Sequence, residues 1–131
     1  MGKLTADAAA KMVFVVDDDA SMRRSLAVLL NKSGFNTVLY ESAEAFLSTF
    51  EPSQMRNACM VLDIHLEGTS GVDLARQLSR AGYKLPVIFI TGNDNDAARR
   101  AALQEGCVAF LAKPFSAGVL LDAIDHALTQ H

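Results

Sequence analysis

The sequence has no tryptophan, two cysteines, three prolines and no long apolar run among its 131 residues. Two thiols without a CxxC or CxxH arrangement form neither a metal site nor a disulfide framework, so we expect Cys59 and Cys107 to be buried small hydrophobic residues. No stretch approaches the roughly 18 apolar residues of a membrane span, and the first residues lack a signal-peptide core. We therefore predict a cytoplasmic protein without membrane contact.

Basic clusters are also missing. The 12 Lys and Arg residues are spread along the chain, and the formal net charge is −3. Such a surface lacks the positive patch that a phosphate backbone requires, so we predict no direct nucleic-acid binding. Half of the residues are hydrophobic, which is enough for one core but not for two domains. We predict a single domain over residues 12–131, preceded by a loosely ordered extension, residues 1–11.

Five short apolar runs alternate with amphipathic segments. We interpret as strands the residues 12–16, 36–40, 58–62, 86–90 and 108–112. Three of the amphipathic segments end at a glycine, which is the residue that a left-handed helix C-cap favours: Gly34, Gly82 and Gly106. This alternation predicts an α/β fold, a doubly wound parallel five-stranded sheet with helices on both faces.

Polar residues follow four of the five predicted strands. Asp17 and Asp18 follow the first strand, and Asp63 follows the third. Thr91 follows the fourth strand, and Lys113 follows the fifth. Because the carboxyl ends of parallel strands meet at one edge of the sheet, we expect these side chains to share one crevice.

These residue types together suit a divalent cation and a phosphoryl group. Asp17 and Asp18 provide hard oxygen ligands for Mg²⁺, and Asp63 can act as a carboxylate nucleophile. Phosphoryl transfer requires positioning and charge neutralisation, which Lys113 and the hydroxyl of Thr91 can supply. The sequence therefore predicts phosphoryl transfer onto Asp63.

Four segments carry a family resemblance: FVVDDDASMRRSLAVLL, CMVLDIHLEGTSGVDLA, LPVIFITG and FLAKPF. They resemble the receiver domains of bacterial two-component response regulators, FixJ-like receivers in particular, and the resemblance covers residues 12–129. It implies a flavodoxin-like (βα)5 sheet with strand order 2-1-3-4-5. It also implies a phosphorelay role, in which Asp63 accepts phosphate from the phosphohistidine of a sensor histidine kinase or phosphotransfer protein.

The resemblance also implies a metal site for Mg²⁺ or Mn²⁺. By this analogy Asp18 is a direct ligand, Asp17 acts through water, and Asp63 and the backbone carbonyl of His65 complete the protein ligands. Lys113 is expected to pair with the phosphoryl group, and the bond that follows it, to Pro114, is a candidate cis peptide bond.

A switch pair is implied as well. Thr91 and Phe110 are expected to respond to phosphorylation by changing the face formed by the fourth helix, the fifth strand and the fifth helix. That face is a candidate homodimer interface. Phe110 stands where many receivers have tyrosine, so it cannot hydrogen-bond through a ring hydroxyl.

The sequence departs from the family in other places. Leu66-Glu67-Gly68 lacks the proline that commonly follows the acceptor, from which we expect altered loop rigidity. His65 occupies a position that influences how fast phosphate is lost. FixJ-like receivers usually precede a helix-turn-helix output domain, whereas this sequence stops at His131. We expect either a stand-alone receiver or a receiver separated from its output domain.

Simpler interpretations apply to single residues. Asp19 fits the N-cap of the first helix. Thr91, taken alone, could cap the helix that follows the fourth strand. His126 and His131 fit solvated tail residues.

Two other functions are compatible with parts of the sequence. A haloacid-dehalogenase-like phosphohydrolase also uses an Asp nucleophile and Mg²⁺, and Asp17, Asp19 and Ser21 approximate its signature. That family needs a later acidic pair after a strand, but only Asp122 and Asp125 remain, both in a helical pattern. An inert pseudo-receiver is disfavoured because the acceptor, acidic pair, threonine and lysine are all present. We expect no enzymatic activity beyond self-phosphorylation and slow autodephosphorylation.

Overall fold

The computed structural model describes residues 11–129. The extension predicted for residues 1–11 lies outside this range except for Lys11, and so does His131. The strands are β1 Met12–Val16, β2 Asn36–Tyr40, β3 Ala58–Asp63, β4 Val87–Thr91 and β5 Ala109–Ala112. The helices are α1 Ala20–Lys32, α2 Ala43–Thr49, α3 Gly71–Arg80, α4 Asp96–Gln104 and α5 Ala117–Thr129, with a short 3-10 helix at Pro52–Met55.

The five strands form one parallel sheet in the order β2-β1-β3-β4-β5, which confirms the predicted topology. β2 lies on one side of β1 in the sheet, and β3 lies on the other side of β1. The strand order therefore reverses between β1 and β3, and a crevice opens there at the carboxyl ends of the strands.

Two predicted strand ends shift by one residue. Asp63 and Thr91 are the last residues of β3 and β4 rather than the first residues after them. Backbone hydrogen bonds prolong the ladder, from Ile64 N to Ile90 O at 3.0 Å and from Lys113 N to Thr91 O at 2.7 Å. Both functional side chains are consequently held by the sheet itself.

The core consists of two apolar clusters, one on each face of the sheet. The cluster under α2, α3 and α4 contains Phe14, Phe46, Met60, Leu62, Leu74 and Phe89. The cluster under α1 and α5 contains Val13, Val15, Leu30, Val61, Ile88 and Ile124. Because both faces are covered, β1 is entirely apolar and β3 is apolar up to Asp63.

Helix ends follow the predicted capping pattern. The side chain of Asp19 accepts hydrogen bonds from the backbone N–H groups of Ser21 and Met22, as expected of an N-cap. The glycines after α1, α3 and α4 have positive φ angles, namely Gly34 at 93°, Gly82 at 89° and Gly106 at 76°.

The structure shows the positions of four residues for which the sequence allowed a simple structural role. The helix after β4 is capped by Asn95 and not by Thr91. Cys59 is fully buried as predicted, whereas Cys107 is only half-buried because it lies in the turn before β5. His126 is exposed on the last helix.

Within the described range, no helix is long and apolar enough to cross a bilayer.

Candidate functional site

Three carboxylates meet at the carboxyl edge of the central strands. Asp17 follows β1 and is 0% exposed, and Asp63 ends β3 and is 5% exposed, whereas Asp18 is exposed. One carboxylate oxygen from each residue lies within 4.8 Å of the others. The structure thus brings together the acidic trio that the strand ends predicted.

Lys113 bridges the two buried carboxylates. Its Nζ donates to Asp17 Oδ2 at 3.1 Å and to Asp63 Oδ2 at 3.2 Å. Burial alone would lower the pKa of Lys113, but the hydrogen bonds and charges of the two aspartates outweigh it and raise the pKa. The ammonium is therefore the counter-charge of the site. The Lys113–Pro114 peptide bond is cis.

Both carboxylate oxygens of Asp63 have partners. Oδ1 accepts a hydrogen bond from the backbone N–H of His65 at 3.0 Å, while Oδ2 faces Lys113. Burial, with the nearby charge of Asp17, raises the pKa of Asp63 despite the opposing effects of His65 and Lys113. The ionised carboxylate of Asp63 is therefore less stable in the folded protein than in the unfolded chain.

Asp17 is fixed at its carboxylate and at its backbone. The backbone N–H of Asp19 donates to Asp17 Oδ1 at 2.9 Å, and Arg23 Nη1 donates to the Asp17 carbonyl at 2.7 Å. Arg23 was not among the predicted site residues. Nothing in the sequence distinguishes it from Arg24, because its contact depends on the turn between β1 and α1.

Thr91 is buried at the end of β4, where its Oγ1 accepts a hydrogen bond from Asn93 N at 3.0 Å. The register pairs Phe89 with Phe110 and Thr91 with Ala112. Since side chains alternate along a strand, Thr91 and Phe110 lie on the same face of neighbouring strands. This geometry is compatible with the predicted switch pair.

His65 lies at the mouth of the site. Its side chain is exposed, and Nε2 lies 3.4 Å from the carbonyl oxygen of Asn93, which can accept a hydrogen bond from it. Asn93 belongs to the loop that also bonds Thr91. The ring of His65 therefore connects the loops that follow β3 and β4.

The loop without the expected proline is anchored from α2. Glu44 Oε2 accepts a hydrogen bond from Thr69 N at 2.9 Å, and Gly68 next to it has a φ of 80°. Hydrogen bonds from Thr69, by its side chain and its backbone, lower the pKa of Glu44. Sequence reasoning missed Glu44, since an acid in the first turn of a helix is ordinary.

An acidic cavity of about 330 Å³ opens beside the trio, lined by Asp18, Glu41, Ser42 and Glu67. A larger cavity of about 370 Å³, near Tyr83 and Lys84, contains none of the site residues. Acidic walls raise the local concentration of cations, so the smaller cavity suits the entry of a metal ion.

The donor set fits a hard divalent cation. The three carboxylates lie close together and Lys113 pairs with two of them, so one ammonium leaves the group with a net negative charge for a cation to neutralise. A doubly wound sheet with this trio, a hydroxyl and a lysine at its carboxyl edge defines an α/β domain suited to a metal ion and a phosphoryl group.

Comparison with known proteins agrees with that class. The family model of the response regulator receiver domain matches residues 13–125. Nodulation protein W of Bradyrhizobium diazoefficiens is 42% identical over 113 residues, which are 86% of this chain and 49% of that protein. The transcriptional regulatory protein FixJ of Rhizobium meliloti is 39% identical over 115 residues, 88% and 55% of the two chains. This chain belongs to the response regulator receiver domain family.

A solved structure supports the same assignment. The crystal structure of FixJ-N superposes with a TM-score of 0.84 at 37% identity, covering 92% of this chain and 95% of that one. The chain spans about half the length of the curated relatives it matches. It is a receiver domain of two-component response regulators, and those relatives carry further sequence beyond the match.

The phosphohydrolase alternative is not supported. Its later acidic pair would have to follow a strand at the site, but Asp122 and Asp125 are exposed on α5. Asp19, which completed the approximate signature, is used as the N-cap of α1.

Proposed function

We propose that this receiver domain accepts a phosphoryl group on Asp63 from the phosphohistidine of a sensor histidine kinase or phosphotransfer protein. The observation that carries the proposal is the carboxylate of Asp63 at the end of central strand β3, held between Lys113 and two further acids. Asp17, Asp18, Asp63 and the backbone carbonyl of His65 would hold Mg²⁺ or Mn²⁺. Because phosphohistidine donors are charged from ATP, we place the domain in the cytoplasm.

In the transfer step, a carboxylate oxygen of Asp63 forms a bond to phosphorus while the bond from phosphorus to the imidazole nitrogen of the donor breaks. The electron pair of that bond stays with the nitrogen. The N–H of His65 and the ammonium of Lys113 orient the attacking carboxylate. A bound cation would neutralise charge on the phosphoryl oxygens.

Lys113 and Thr91 then stabilise the product. The ammonium already lies 3.2 Å from Asp63 Oδ2, within reach of a phosphoryl oxygen on the same carboxylate. The Thr91 hydroxyl can donate its hydrogen to another of these oxygens, because Oγ1 only accepts in its bond with Asn93 N. The acceptor is consumed once per cycle, so the domain is not a turnover enzyme and performs only self-phosphorylation and slow autodephosphorylation.

The output surface in this proposal is the face formed by α4, β5 and α5. Four large apolar side chains are exposed among the described residues. Leu103 on α4 and Val119 on α5 belong to the helices of this face, whereas Val28 and Leu39 lie elsewhere. A second copy of the chain, giving a homodimer, is the candidate that we favour.

Acetyl phosphate tests the proposal directly. With Mg²⁺, intact-mass spectrometry is expected to show a single phosphate adduct, and borohydride reduction with peptide mapping is expected to locate it at Asp63. With EDTA in place of Mg²⁺ the adduct should be absent. Repeated hydrolysis of an aryl phosphate, or an adduct on another residue, would contradict the proposal.

Substitutions in the acidic run should separate metal binding from capping. Asp18→Ala is expected to weaken Mg²⁺ binding roughly tenfold or more, and Asp17→Ala less, because the first removes a direct ligand and the second a water-mediated one. Asp19→Ala should instead cost about 0.5–2 kcal/mol of stability through the lost cap.

Isothermal titration with Mg²⁺ and thermal melts on the three variants measure both effects. Since Asp18 is exposed, its variant should keep the melting temperature of the wild type in chelator. If Asp19→Ala abolished Mg²⁺ binding as completely as Asp18→Ala, the assignment of ligands would be wrong.

A further inference from the structure

An arginine lies over the predicted switch residue. The guanidinium carbon Cζ of Arg99 is 4.5 Å from the centre of the Phe110 ring. Arg99 projects from α4, and Phe110 is half-buried on β5, where it packs against the apolar cluster beneath α4. A cation above an aromatic face is attracted by the quadrupole of the ring, so this contact favours the present ring position.

A second contact fixes the guanidinium. Arg99 Nη2 donates to Asp94 Oδ2 at 2.7 Å, and Asp94 lies in the loop between β4 and α4. The same loop is bonded to the end of β4, since Asn93 N donates to Thr91 Oγ1 at 3.0 Å. A continuous series of contacts therefore leads from Thr91 through the loop to Arg99 and Phe110.

These contacts oppose the change that phosphorylation would cause. If Oγ1 of Thr91 moves toward a phosphoryl group on Asp63, its hydrogen bond from Asn93 N lengthens, which loosens the loop that carries Asp94. A Phe110 ring that moves into the space left by Thr91 must also leave Arg99. Both steps disrupt the contacts that centre on Arg99.

We propose that Arg99 is a positioning residue that holds Phe110 in the unphosphorylated arrangement and so sets how readily the domain switches. This inference rests on the proposed function of Asp63 as the acceptor.

The expected size of the effect follows from the exposure of the contact. Arg99 and Asp94 have side chains that are 47% and 35% exposed, so the ion pair between them adds little by itself. A cation–π contact at such a site shifts a two-state equilibrium by about two- to fivefold. A ligand that selects the switched state should gain affinity by the same factor when the contact is removed.

Beryllofluoride, which occupies the place of a phosphoryl group on an aspartate, is a suitable probe. The full chain is titrated with beryllofluoride and Mg²⁺ as wild type, Arg99→Gln, Arg99→Lys and Arg100→Gln, with NMR shifts recorded for residues 109–112. Arg99→Gln should bind about two- to fivefold more tightly, and its free-state shifts should move toward the bound positions. Arg99→Lys should lie between Arg99→Gln and the wild type.

Arg100→Gln is the matched control, because it removes the same charge from the next position of α4. It should bind as the wild type does. A merely structural role of Arg99 would lower stability without raising the affinity for beryllofluoride.

The outcomes separate the two proposals. Unchanged or weaker binding by Arg99→Gln, with normal binding by the wild type, would overturn the role of Arg99 and leave Asp63 as the acceptor. Equal gains in Arg99→Gln and Arg100→Gln would also overturn it, since the effect would then be one of charge alone. Failure of the wild type to bind beryllofluoride with Mg²⁺ would overturn the acceptor assignment itself.

Discussion

Asp63→Asn is expected to abolish the phosphate adduct and to raise the melting temperature of the metal-free protein at neutral pH. The amide cannot serve as the phosphoryl acceptor, but it keeps the size of the side chain. Its single amide oxygen can still accept the hydrogen bond from His65 N, whereas Lys113 loses this partner and keeps Asp17. Because burial and the charge of Asp17 raise the pKa of Asp63, the ionised carboxylate destabilises the fold, and the variant removes that cost.

The pH dependence gives the sign of this effect. A carboxyl group whose pKa is raised on folding stabilises the folded state at pH values below its unfolded pKa, near 3.8. This stabilisation is lost as the pH rises through the pKa of the folded state. The advantage of Asp63→Asn should therefore be absent in acid and grow toward neutral pH. Thermal melts in EDTA over this range measure it.

Asp73→Asn is the matched control for the melts. Asp73 is exposed on α3 and pairs with Arg76 at 3.1 Å, a surface contact of little energetic weight. This variant should keep the phosphate adduct and nearly the melting temperature of the wild type. If Asp63→Asn melted below the wild type at neutral pH, the pairing with Lys113 would outweigh burial and the argument would be wrong.

The fold and the residues that form the site could be predicted because both follow from the order of strands, helices and polar residues along the chain. Apolar runs locate the strands, glycines locate the helix ends, and parallel topology brings the strand ends to one edge. Asp17, Asp63, Thr91 and Lys113 therefore had to lie along one edge of the sheet once the strands were recognised. This placement needs no knowledge of side-chain packing.

Side-chain placement could not be predicted in the same way. Asp17 and Asp18 are adjacent residues of the same type, yet one is fully buried and the other exposed, because the turn after β1 directs them to different sides. Arg23 and Glu44 reach backbone groups that are distant in sequence or hidden in a turn. Arg99 meets Phe110 only because α4 packs beside β5.

Gly71 is the clearest residue that sequence reasoning missed. It is the first residue of α3, and its N–H donates to the carbonyl of Ile64 at 3.0 Å. A Cβ atom at this position would lie 2.1 Å from the carbonyl oxygen of Asp63 and 3.0 Å from the Cα of Ile64. These are backbone atoms of the strand end that holds the acceptor, so they cannot move aside without disturbing the site.

Gly71→Ala is therefore expected to lower the free energy of unfolding by about 1–3 kcal/mol or more and to slow formation of the phosphate adduct, because the strand end must shift to admit the methyl group. Gly118→Ala on α5 is the matched control. Beyond its chain neighbours and the nearby backbone of its own helix, no atom lies within 4 Å of its added Cβ, so alanine should fit there without lowering the free energy of unfolding. Urea denaturation and the rate of adduct formation with acetyl phosphate measure both variants. Equal stability of the two variants, with wild-type adduct formation in Gly71→Ala, would contradict this prediction. The junction of β3 and α3 would then accommodate the methyl group without losing stability or activity.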